Sequence, residues 1–124
     1  MLLLFDLDGT LLKTDKTISH KTIEAINRCK EIGHLIGIST ARSESNSEKF
    51  LTQVHPDLVI SSGGALEEII SFGDDYSDIG MLKMCGKGIT MGNAIDAVKE
   101  IADEVIGSND TDGIAEWLEN NILK

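Results

Sequence analysis

Apolar residues come along this chain in short blocks, and the blocks keep two different rhythms. "LLLFDL", Leu2 to Leu7, is apolar at every position except Asp6, as a strand covered on both faces should be. Residues 20–32 follow a helical period instead. Ile23, Ile26 and Cys29 share one face, Ser19 stands ready as N-cap and Gly33 as the stop. "HLIGIS" predicts a second strand. "SNSE", Ser45 to Glu48, reads as a capping box for a helix carrying Phe50, Leu51 and Val54, which Pro56 ends.

The rhythm then repeats. "DLVISS" predicts a third strand and "EIISFG" a fourth, followed by a short helix in "SDIGMLKMC" that Gly86 stops. "GIT" predicts a fifth strand, and Asn93 is placed to cap "AIDAVKEIA". After a short "EVI" strand comes "GIAEWLENNI", with Ile114, Trp117 and Leu118 facing inward. Strands that alternate with helices imply an α/β fold, a mostly parallel sheet between two helical layers. No repeat, low-complexity tract or linker divides the chain, so residues 1–124 are expected to form one domain.

Charge narrows the choice of partners. Eleven basic against 21 acidic residues give a net charge of −10, which opposes nucleic acid and anionic membrane surfaces. It suits a divalent cation, through which an anionic substrate could then be held. Leu2 to Leu4 is too short for a signal-peptide core, and no apolar run approaches a membrane span. Cys29 and Cys85 fit no metal or redox spacing and read as thiols of a cytoplasmic protein. His20, His34 and His55 share no spacing with one another.

In parallel sheets, ligands bind beyond the carboxyl ends of the strands. Strand one ends in "DLDGT", strand two in "STAR" and strand four in "GDDYSD", so Asp6, Asp8, Thr40, Asp74 and Asp78 are all delivered to one rim. Carboxylates gathered in this way make chemical sense around Mg²⁺, which takes oxygen ligands. Strand alternation would send Asp6 and Asp8 to the same side. Gly9 permits a sharp turn whose N–H groups could hold phosphate oxygens.

These segments resemble a known family. "DLDGTLL", "ISTAR" and "GDDYSDIGML" are similar to motifs I, II and IV of the haloacid dehalogenase-like superfamily of phosphatases, nearest to its Cof-type members. "VISSGGAL" and residues 88–119 extend the likeness over nearly the whole chain. The resemblance implies a Rossmann-like α/β/α core and a Mg²⁺-dependent hydrolysis of a small phosphorylated metabolite. Asp6 would be the nucleophile that forms an aspartyl-phosphate, and Asp8 the general acid and base, its carbonyl also on the metal. Thr40 would bind the phosphoryl group, Asp74 the metal directly, and Asp78 the metal as the second acid. Ser77 stands where the family usually has Asn.

The likeness breaks between strands three and four. Cof-type members carry a cap domain after the "GGA" turn, then a helix with the motif III lysine. Here Ala65, Leu66 and Glu67 lead almost directly into strand four, so cap and lysine are expected to be missing. Lys49, Lys83 and Lys87 lie on other segments. A link of three or four residues could not make a parallel crossover. A missing segment, an unusual strand order, or exchange of the C-terminal half between two copies would each resolve the difficulty.

Two rival functions stay open at this point. One is a receiver-like module that accepts phosphate on Asp; the other is a catalytically degenerate fragment. "SNDTDGIAEWLE" nearly fits a calcium-binding loop, but Ser108 holds its first position and no helix precedes it, so a helix N-terminus is the better reading.

Overall fold

The computed structural model describes residues 2–39, 54, 58–60 and 69–123. Six strands make one sheet: β1 (Leu2–Asp6), β2 (Leu35–Ser39), β3 (Leu58–Ile60), β4 (Ile69–Gly73), β5 (Lys87–Thr90) and β6 (Glu104–Val105). Their order across the sheet is β3-β2-β1-β4-β5-β6, with every neighbouring pair parallel. This is the doubly wound order, in which the chain starts in the middle and reverses direction beside β1. The helices are α1 (His20–Glu31), α2 (Ile79–Met84), α3 (Asp96–Ile101) and α4 (Gly113–Asn121).

Two apolar layers explain the unbroken hydrophobic run of β1. Leu3 and Phe5 join Ile26, Ile36, Ile38, Phe72, Ile114 and Leu118 in the larger core, under α1 and α4. Leu4 points the other way and packs with Ile69, Met81, Leu82 and Val98 under α2 and α3. Phe5 stacks on Phe72 at 4.7 Å between ring centroids, and Trp117 meets Phe72 edge-on at 5.4 Å. Trp117 also donates its indole N–H to Glu104 at 2.9 Å, which ties α4 to the edge strand.

Most predicted elements form. Ser19 caps α1 by accepting the Thr22 N–H, and Gly33 follows the helix at φ +104°. Asn93 does not cap: α3 starts at Asp96 behind Ile95, with no side-chain cap. The helix expected in 45–55 lies outside the described residues apart from Val54, which is buried in the larger core.

Between β3 and β4 the described residues leave off at Ile60 and resume at Ile69, so residues 61–68 are available for the crossover. Ile60 stands level with Ser39 and hence with Asp6, whereas Ile69 stands level with Leu2. Three strand spacings and four residues of rise put the two ends about 20 Å apart. The intervening chain can extend to about 31 Å. Reach alone therefore does not force exchange between copies, and β4 pairs with β1 of its own chain.

Candidate metal centre and active site

β1 and β4 lie side by side, so the segments leaving their carboxyl ends meet above the sheet. Asp6 is the last residue of β1, and the chain then enters a broad turn, Leu7–Leu11, closed by the Leu12 N–H on the Leu7 carbonyl at 2.9 Å. From β4 the chain passes Asp74 and Asp75 into a tight helical turn, Tyr76–Asp78, that runs into α2. One carboxylate oxygen from each of Asp6, Asp74 and Asp78 lies within 4.8 Å of the others. Among the described residues, this is the acidic group that could hold a metal ion.

Each acid is held by its surroundings. Asp78, buried, accepts the backbone N–H groups of Asp74 and Asp75 at 3.0 and 3.2 Å, and so shapes the loop that presents Asp74. The hydroxyl of Thr10, also buried, reaches Asp74 at 3.1 Å and Asp6 at 3.3 Å. Two glycines make room. A Cβ at Gly9, which has φ +77°, would run into the Asp74 carboxylate. A Cβ at Gly73 would lie 2.6 Å from the Asp78 Cβ. Both positions are closed to side chains by the acids themselves.

Electrostatics makes the crowding costly. Burial first, then the negative charge of Asp78 and contact with Asp74, push the Asp6 carboxyl up to about 10. Burial likewise raises Asp78, against the two backbone N–H groups that favour its ionised form. Asp6, raised this way without a cation, holds a proton that a divalent ion would displace. Hard, oxygen-only donors at this spacing suit Mg²⁺.

The remaining candidates sit differently. The alternation argument for Asp8 stops where β1 stops: at Asp8 the backbone is already in the turn, and its carboxylate pairs with Lys16 at 3.0 Å, apart from the three grouped acids. Lys16, at φ +66°, was not marked by any motif. Ser77 is exposed on the tight turn. Gly9 offers its carbonyl to Asn93 at 2.9 Å. Thr40 lies outside the described residues. Asp110 and Asp112, from the calcium-like stretch, are occupied elsewhere: Asp110 accepts the Thr14 N–H and hydroxyl, and Asp112 accepts the Ser19 hydroxyl. As expected, α4 begins there.

A family model described as haloacid dehalogenase-like hydrolase matches residues 3–66 and 63–118. The chain belongs to the haloacid dehalogenase-like hydrolases. The two matched segments overlap at residues 63–66, where the likeness to Cof-type members breaks. Among curated relatives, pyridoxal phosphate phosphatase YbhA of Escherichia coli (strain K12) is 40% identical over 86 residues, covering 69% of this chain and 30% of that protein. The chain spans less than half the length of the first curated relatives it matches.

Solved structures agree on the hydrolase fold. A hypothetical protein from Geobacillus kaustophilus HTA426 superposes with a TM-score of 0.89 at 18% identity, covering 99% of both chains. A 3-deoxy-D-manno-octulosonate 8-phosphate phosphatase from Moraxella catarrhalis, in complex with magnesium ion, phosphate ion and KDO, superposes with a TM-score of 0.78 at 16% identity. That match covers 96% of this chain and 83% of the other.

Proposed function

We propose that the chain is the catalytic core of a Mg²⁺-dependent phosphatase that hydrolyses a small phosphorylated metabolite through an aspartyl-phosphate on Asp6. The convergence of Asp6, Asp74 and Asp78 at the ends of two adjacent strands carries the reading. Asp6, Asp74 and Asp78 would hold the metal, with the Asp8 carbonyl; the ion would offset the repulsion between ionised Asp6 and a phosphate. Family membership favours this reading over a receiver-like module.

An Asp6 carboxylate oxygen attacks phosphorus, and the bond from phosphorus to the ester oxygen breaks. Asp8 gives its proton to the departing alkoxide. Water then attacks phosphorus of the acyl phosphate, Asp8 takes the water proton, and the bond to Asp6 breaks to release phosphate. The Gly9 turn, the Thr40 hydroxyl and Ser77 would orient the phosphoryl oxygens. The two named relatives act on phosphate monoesters of small metabolites, which supports that substrate class here. The buried free thiols Cys29 and Cys85 accord with a reducing, cytoplasmic setting.

We further propose that the cap and the motif III lysine are absent and that turnover is correspondingly slow. Hydrolysis of p-nitrophenyl phosphate, dependent on Mg²⁺ and abolished by Asp6→Asn, tests the function. Turnover at ordinary enzyme rates would refute the slow-core reading, and no phosphate release at any Mg²⁺ concentration would refute the phosphatase. Sedimentation of the intact chain tests exchange between copies, which predicts a dimer sharing Asp6 of one copy with Asp74 and Asp78 of the other.

A further inference from the structure

Two carbonyls, at Gly9 in the broad turn carrying Asp8 and Thr10 and at Leu12 just beyond it, meet side chains from elsewhere in the chain. Each receives an asparagine from the far end of the chain. Asn93, in the connection between β5 and α3, donates its amide to the Gly9 carbonyl at 2.9 Å. Asn109, in the connection between β6 and α4, donates to the Leu12 carbonyl at 2.9 Å. The two asparagines are joined: the Asn93 side-chain oxygen accepts the Asn109 backbone N–H at 3.0 Å. Asn109 is 8% exposed, so its amide is committed to this contact. The connections themselves touch backbone to backbone, with the Gly92 N–H on the Gly107 carbonyl at 3.2 Å.

We infer that Asn93 and Asn109 act as a positioning pair, fixing the Gly9 peptide so that Asp8 and Thr10 keep their places relative to Asp6. The inference rests on the phosphatase reading of the site. Gly9 already stands against the Asp74 carboxylate with no space to spare, and Thr10 next to it bridges Asp74 and Asp6. A peptide released at Gly9 would therefore turn Asp8 on one side and Thr10 on the other. Small displacements of reacting groups cost up to about 100-fold in rate.

Asn93 is exposed, so its variants should fold. Asn93→Ala removes both of its bonds; Asn93→Asp keeps the acceptor for Asn109 but loses the donor to Gly9. Both should lower kcat about 10- to 100-fold on p-nitrophenyl phosphate with Mg²⁺, with KM changed less than about twofold. The aspartate variant should match the alanine variant in kcat while holding the parent melting temperature. A kcat within about twofold of the parent in both would overturn the inference, as would a loss that tracks melting temperature alone. If the parent protein releases no phosphate, the phosphatase reading has failed on its own. Positioning is then read from the amide resonances of Asp8, Gly9 and Thr10, which should move in both variants; unchanged resonances would overturn it.

Discussion

Among the described residues, two acidic groups are built on contrasting principles. In the connection before α4, Asp110 and Asp112 face donors: the Thr14 N–H and hydroxyl and the Ser19 hydroxyl. Thr14 accordingly lowers the Asp110 carboxyl below its ordinary range. Above β1 and β4, Asp6, Asp74 and Asp78 face one another, and Asp6 is raised to about 10. A carboxylate whose lone pairs are filled by the protein's own donors is part of the framework. Carboxylates set against each other at the end of a sheet crowd negative charge that the Thr10 hydroxyl and two backbone N–H groups only partly offset and that a cation would balance.

The sharpest way to break this contrast is to remove one acid from each cluster. Asp6→Asn should reduce phosphate release about 1,000-fold or more, since it removes the proposed nucleophile. Asp110→Asn should leave release within about twofold. Comparable losses in the two variants, measured side by side, would erase the distinction.

Metal linkage comes next in size. At 100 times its dissociation constant, Mg²⁺ should stabilise the folded chain by about 2.7 kcal/mol. Asp74→Asn should abolish that gain and Asp112→Asn should keep it, as read by melting with and without the ion. Calcium bound stoichiometrically by a protein lacking the Asp6, Asp74 and Asp78 carboxylates would return the α4 connection to consideration as a cation loop.

The pH dependences should run in opposite senses. Asp6 holds a proton when folded that it releases near 3.8 when unfolded. Its contribution to metal-free stability is therefore complete below about 3.8 and declines as pH rises toward about 10. Mg²⁺ should flatten that decline. Asp110 behaves in reverse: its contribution is present above its unfolded value and lost as pH falls through its lowered folded value. Urea melts across pH, repeated for Asp6→Asn and Asp110→Asn, separate the two slopes.

The smallest effect concerns the framework alone. Asp112→Ala should cost about 0.5–1.5 kcal/mol through the lost Ser19 contact. The Mg²⁺ shift should remain unchanged in the same melts. A change in that shift would mean the clusters are coupled.

Much of this was legible in the residues. The two-faced apolar run of β1, the alternation of strand and helix, and acids at the ends of β1 and β4 lead from sequence to the doubly wound sheet and its grouped carboxylates. What escaped depends on contacts distant along the chain or on where a strand stops. Asn93 looks like a local cap because its true partner, Gly9, is 84 positions away. Asp8 was read by strand alternation, but β1 ends at Asp6 and the turn redirects it toward Lys16. Thr10 was not singled out, because its contact with Asp74 spans 64 positions and leaves no local signal. The β3–β4 link was counted as Ala65 to Glu67 alone, whereas the described residues leave 61–68 between Ile60 and Ile69 for the crossover.

That β1 lies between β2 and β4 bears on how the protein is made. β1 is synthesised before both strands that flank it, and the second of them, β4, is not complete until Gly73 has been added. An apolar strand such as Leu2 to Phe5 with an unpaired edge is a template for association with other chains until that neighbour is in place. Slow translation through residues 40–73 should therefore reduce soluble yield more than an equal delay after residue 90.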